Sequence, residues 1–183
     1  MAFVARRRYR KNASGERGQA LLEMVPVVAL LLTVIFGVIE CSYAIWQIEV
    51  IAALTREGAN LASRNTALPA AALDVINDGQ VINLLGNGEV IITAVQNQGG
   101  TFTITGQTSS GGYAASSRVG TGVGAGATIP ATAATATPPA TGAIPLNGSI
   151  YAAEVFTQYT PITPLGAFVK LTMPSTLYDV AYF

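Results

Sequence analysis

Residues 24–39, MVPVVALLLTVIFGVI, constrain this chain more than any other stretch. Sixteen consecutive residues carry no charge, and eleven of them are Val, Leu, Ile or Phe. At a helix centre, side chains of this kind favour membrane insertion by about 3–7 kcal/mol in total. Sixteen residues fall short of the roughly 20 that a bilayer-spanning helix needs. Extending back through Leu22, Leu21 and Ala20 closes the gap, but it places Glu23 inside the span. A transmembrane segment over 20–41 follows, with Glu40 at its far boundary. A cleaved secretory signal would share the apolar run, but "ECSYAIWQ" offers at best a poor small-x-small cleavage site, so the segment is expected to stay attached. Cys41 is the single cysteine, so no internal disulfide exists. The acidic Glu40 just before it does not fit a lipidation site, and Cys41 reads as a small helix residue.

Charge is balanced overall but unevenly placed. Arg6, Arg7, Arg8, Arg10, Lys11 and Arg17 precede Gly18, leaving four bases against nine acids beyond it. The basic cluster ahead of the apolar run holds the N-terminus in the cytoplasm. The acidic remainder argues against nucleic acid, whose phosphates call for a basic patch. Past the span, Ile45, Ile48, Ala52, Thr55, Ala59 and Ala62 step by three and four, one stripe of a helix. Asn65 and Leu68-Pro69 stop it. One helix over about 19–64, roughly 70 Å long at 1.5 Å per residue, is predicted. Pro26 then falls in its first turns, where early N–H groups lack partners anyway.

This layout resembles the TadE-like minor pilins of the Tad (Flp, type IVc) pilus system. "GERGQALLE" is similar to a prepilin processing site, with Gly18 before the scissile bond, Gln19 after it and Glu23 at the fifth position. "MVPVVALLLTVIFGVIE" resembles the family's apolar segment, ending in Gly37-x-x-Glu40. "ALTREGANLAS" contains Arg56, Glu57 and Gly58 and is similar to the family's "AAREGAR" helix stretch. "YAAEVFTQYTPITPL" resembles its last strands more loosely. The resemblance implies that residues 1–18 are a leader removed by a prepilin peptidase, a membrane aspartyl protease. It implies that Glu23 meets the new amino terminus of a neighbouring subunit on assembly. It also implies the remaining partners: the major pilin, other minor pilins, and an inner-membrane platform with its ATPase.

Residues 66–183 should form the exported domain. "PAAALDVIN" (69–77) predicts a short helix with Pro at its first turn. "EVIITAV" (89–95) and "TFTIT" (101–105) predict a hairpin with the five-residue loop "QNQGG". Residues 150–159, 167–173 and 177–183 are three further predicted strands. The expected class is α+β, pilin-like: a long transmembrane helix whose stripe over 48–62 is covered by a small antiparallel sheet. Residues 106–149, rich in Gly, Ala, Thr and Pro, predict an exposed low-complexity loop that buries little. "NGS" at 147–149 predicts a turn.

The sequence has no histidine, which removes the commonest general base and metal ligand. Asp74 and Asp78 share a potential helix face with no metal cage around them. The expectation is therefore a structural subunit for pilus assembly and surface attachment, without catalytic residues, metal or cofactor. It would sit in the bacterial inner membrane as a single pass and reach the cell surface in a pilus. The alternative is an uncleaved membrane-anchored envelope protein with an extracytoplasmic binding domain.

Overall fold

A computed structural model of the chain describes residues 13–129, 146–164, 166–169 and 173–183. Most of the basic leader, and residues 130–145 of the low-complexity stretch, lie outside them. The fold is α+β: one very long helix, whose C-terminal half and a second helix form a layer on a four-stranded antiparallel sheet.

Helix α1 (Ala13–Ser63) has 51 residues and is about 77 Å long at 1.5 Å per residue. It starts before the expected position near 19, because nothing at Gly18 interrupts it. Pro26 therefore lies inside the helix rather than in its first turns. It offers no N–H to the Leu22 carbonyl four residues earlier, a loss that apolar spanning helices tolerate. Over residues 21–35 every side chain is exposed. Burial begins in earnest at Glu40 and continues through Ala44, Gln47, Ile51, Leu54, Thr55, Gly58, Ala59 and Ala62. This corrects the predicted stripe. Ile45 and Ile48 stay 57% and 45% exposed. The buried face is rotated by one residue there and merges with the predicted face at Thr55.

Asn65, at φ 69°, ends the helix in a left-handed turn. Helix α2 (Leu68–Asp78) follows with Pro in its first turn and buries Ala71, Ala72, Val75 and Ile76 along one side. A 3₁₀ turn (Gly79–Ile82) and a one-turn helix α3 (Leu84–Asn87) lead into strand β1 (Gly88–Gln98). β1 pairs with β2 (Thr101–Gly111) through a turn tighter than expected: only Gly99 and Gly100 connect them. Both have positive φ, 69° and 93°, the geometry that lets a two-residue turn follow the twist of its strands. β3 (Ser149–Gln158) and β4 (Thr176–Tyr182) complete the order β2-β1-β3-β4. Leu146 and Asn147 form a turn, with Asn147 N donating to Asn97 O at 2.8 Å.

The helix-side core joins Ile51, Leu54, Ala59, Val75, Ile92 and Val155. Its tightest point is Gly58. A Cβ there would stand 2.9 Å from Val75 Cγ2 and 3.3 Å from Ala153 Cβ, so glycine lets α1, α2 and β3 meet.

Two predictions for the outer half are corrected. Residues 106–149 are not one exposed loop. β2 runs on to Gly111, and residues 112–129 fold over the sheet face opposite the helices. There Val119 packs with Val95, Ile104, Ile150 and Tyr182. This strap also lines β2: Ile104 N donates to Ala125 O at 2.9 Å and Ala127 N to Phe102 O at 2.8 Å. The predicted strand over 167–173 is absent as well. Gly166–Val169 is a single helical turn, α4, and residues 170–172 lie outside the described part. Gly166 is pressed against Pro161, and its N–H bonds Thr163 O at 3.0 Å. That folds the segment into a tight corner and leaves the sheet edge to β4.

Ordering of the strap through Val119 has a measurable consequence. Val119→Ala should cost about 1–2 kcal/mol through lost apolar burial and a residual cavity, and should speed proteolysis within 112–129. Val123→Ala, at a position 68% exposed, should change neither.

Candidate functional site

α1 carries three stations where sequence, geometry and chemistry converge. The first is its entrance. Gly18 and Gln19 are exposed and helical, and no atom approaches a Cβ built at Gly18. Nothing among the described residues therefore requires glycine at 18. Gln19 Nε2 donates to Glu23 Oε1 at 3.2 Å, one turn on. The Glu23 carboxylate is exposed and faces away from the domain's core. Whatever these residues do, they do it against something other than their own fold.

The second station is Glu40, which the sequence presents as a flanking acid at the membrane boundary. It is fully buried. The connection between β3 and β4 reaches across and closes over it. Tyr159 Oη donates to Oε1, Ile162 N donates to the same oxygen at 3.3 Å, and Thr163 N donates to Oε2 at 2.9 Å. All three donors are neutral, and two are backbone groups that a Pro-marked loop cannot place in a strand ladder. One carboxyl group thus fastens the loop to the helix across 119 to 123 residues of chain. No local pattern in the sequence announces this. The available signal is an acid at the end of an apolar run together with a Tyr-Thr-Pro-x-Thr-Pro corner rich in otherwise unpaired N–H groups. A turn further on, Tyr43 and Trp46 stack with centroids 5.6 Å apart, and Gln47 Nε2 donates to Tyr43 Oη at 3.0 Å.

The third station is Arg56-Glu57-Gly58. The structure separates its members: Arg56 and Glu57 point to solvent, while Gly58 is buried at the three-way contact. Thr55 beside them donates to Asp179 Oδ2 at 2.7 Å, tying α1 to β4.

A second buried acid, Glu154 on β3, plays on the outer sheet face the part that Glu40 plays on the helix face. Its Oε1 accepts from Arg118 N at 2.8 Å and Tyr178 Oη at 3.1 Å, and its Oε2 accepts from Ser117 Oγ. Arg118 lies over the Tyr178 ring, 3.9 Å from its centroid. Glu89 likewise accepts from Ala115 N. Burial, then the neighbouring Glu154, pushes the Tyr182 phenol up to about 12. Tyr178 is raised by the same pair of causes, and Tyr159 by burial and then by its bond to Glu40. Among the described residues no group of three or more His, Cys, Asp and Glu side chains could hold a metal ion.

Comparison with known proteins bears on the first and third stations and on the helix between them. The family model described as TadE-like protein matches residues 18–60. The match starts at Gly18, takes in the whole apolar run and ends within the buried stripe of α1. The stretch of α1 over 18–60 is thus similar to TadE-like proteins. No curated protein and no solved structure gives a match.

Two outcomes follow from the buried acids. Glu40→Ala leaves a phenol and two amide donors without their acceptor. It should cost about 3 kcal/mol or more, whereas Glu23→Ala should leave thermal stability unchanged. The raised phenols set an alkaline limit. A folded pKa above the ordinary value of 10.0 means that the folded chain holds protons the unfolded chain releases. Their contribution is complete below about pH 10 and drains away as pH rises toward the folded values. In detergent, tyrosinate absorbance of Tyr159, Tyr178 and Tyr182 should therefore appear together with loss of near-ultraviolet circular dichroism.

Proposed function

We propose that this TadE-like chain is a minor pilin, or pilin-like subunit, of a Tad-type pilus apparatus that works by association rather than catalysis. Its apolar helix is the anchor. The chain is held in the inner membrane as a single pass, with its basic end in the cytoplasm. It is cut after Gly18 by a prepilin peptidase and then joins the major pilin, companion minor pilins and the membrane platform. The observation that carries this reading is the pairing of the family match over 18–60 with a helix exposed all round over 21–35. A helix of that composition needs either lipid or other helices around it.

The geometry of the entrance supports a role for Glu23 in assembly. A carboxylate at membrane depth costs about 2.5–3.5 kcal/mol on insertion scales. Among the described residues, the neutral amide of Gln19 is what answers it. Cutting after Gly18 would place a new amine on that same residue, one turn from Glu23. The amine of an adjacent subunit could then offset part of the cost and fix the stagger between helices. The open surroundings of Gly18 suit a peptidase, because a bare backbone can enter a narrow site there.

Intact-mass measurement of the protein from piliated cells should find a chain beginning at Gln19. Gly18→Leu should leave the leader attached and abolish incorporation. Glu23→Ala should leave membrane insertion and cutting intact but reduce the amount recovered in pilus fractions. A chain that keeps Met1 in cells with an active prepilin peptidase would instead support an uncleaved anchored envelope protein.

A further inference from the structure

The apolar run of α1 from Leu21 to Ile39 is exposed except at Phe36 and Gly37, which are half-buried. Those residues extend about 28 Å at 1.5 Å per residue, close to the roughly 30 Å of a bilayer's hydrocarbon core. Glu40 therefore stands at the lipid–water boundary. The loop that closes over Glu40 must stand there too, since the N–H groups of Ile162 and Thr163 lie 3.3 and 2.9 Å from its carboxyl oxygens. That loop does not present polar side chains alone to its surroundings. Ile162 is 55% exposed, and Phe168, on the α4 turn pinned to Thr163 O through Gly166, is 69% exposed. Trp46 is also partly exposed one to two turns past the boundary and is stacked on Tyr43. This is the depth at which amphipathic aromatic rings gather beside a membrane. The opposite end of the sheet differs: the β1–β2 hairpin tip is Gln98, Gly99, Gly100 and Thr101, all exposed.

We propose that the β3–β4 connection is a second membrane contact, with Ile162 and Phe168 seated in the headgroup region of the leaflet from which α1 emerges. The occupant of this apolar corner is the bilayer itself, because Ile162 and Thr163 are held by their N–H groups to Glu40, the residue that follows the outward apolar run of α1, and Trp46 and Ile48 stay exposed just beyond it. Glu40 is the positioning residue. By fastening the loop to the helix at the boundary, it seats the domain on the membrane instead of leaving it on a free stalk. The proposal rests on the reading of α1 as a membrane span.

Site-directed spin labelling of the full-length chain in liposomes tests it. Cys41→Ser removes the exposed native thiol, and single cysteines then replace Ile162, Phe168, Val34 and Gln98 in turn. Collision with oxygen, which partitions into lipid, is compared with collision with a water-soluble nickel chelate. Labels at 162 and 168 should favour oxygen severalfold over the label at Gln98, at a depth shallower than Val34, and should keep that ratio as protein is diluted in lipid. Equal chelate access at 162, 168 and 98, with Val34 still deep, would overturn the proposal while leaving the span intact. Chelate access at Val34 would remove the span itself. A ratio that vanishes on dilution would mean that a second copy of the chain covers the corner, and would also overturn the proposal. Glu40→Gln, in the Ile162→Cys background, should raise chelate access at 162 without changing the depth at Val34.

Discussion

The structure turns on one carboxyl group buried where α1 passes from its exposed apolar run into the folded domain. Up to Ile39, α1 meets its surroundings with apolar side chains; from Glu40 it is the central element of a folded domain. A helix alone cannot make that change, because both halves share one continuous backbone and one exposed side could grade into the other. The change is made by bringing a distant loop onto the helix and satisfying its N–H groups with Glu40. An uncompensated carboxyl group in a dry site costs several kcal/mol, so the acid and the loop each need the other. The junction between rod and head is therefore a packed joint and not a linker.

The same device recurs on the opposite face of the sheet. The strap over 112–129 has too few large side chains to hold itself by apolar burial alone. Val119 supplies one buried anchor, and the acids Glu154 and Glu89 accept from Ser117, Arg118 and Ala115. The excess of acids beyond Gly18 thus serves partly as internal acceptors. Glu40, Glu89, Glu154 and Asp179 each receive hydrogen bonds from residues far away in sequence. Carboxylates suit this use because they only accept and can take several donors at once. A chain with irregular, Gly- and Thr-rich connections has many N–H groups to satisfy.

This division explains what the sequence made legible. Periodicity and composition are local, and the elements they govern lie close to expectation: α2 and the strands β1, β3 and β4 begin and end within a few residues of it, and α1 ends where expected although it begins earlier. What could not be read was set by long-range polar contacts. Composition made 106–149 look like one loop, although Glu154 and Val119 order part of it. "AFVKLTM" has the composition of a strand, yet a glycine pressed against Pro161 turns it into a corner. The face of α1 was misplaced by one residue at Ile45 and Ile48, because apolar side chains were assumed to point at the core. There the buried positions include Glu40 and Gln47, and the isoleucines stay outside. Of the named site residues, Gly58 has its reason inside the fold. Gly18, Gln19 and Glu23 have none there.

That last contrast separates two kinds of constraint along one helix. Gly58 is required by atoms 2.9 and 3.3 Å from its absent Cβ, so the domain itself would reject a larger side chain. Among the described residues, no atom comes within 4 Å of a Cβ at Gly18, and the side chain of Gln19 is the hydrogen-bond partner of Glu23. Intramolecular packing thus explains the lower half of α1 and leaves the entrance unexplained. Among the described residues, the entrance of α1 offers Glu23 one neutral amide, whereas the covered part is fastened to the sheet and its loop through Thr55 and Glu40.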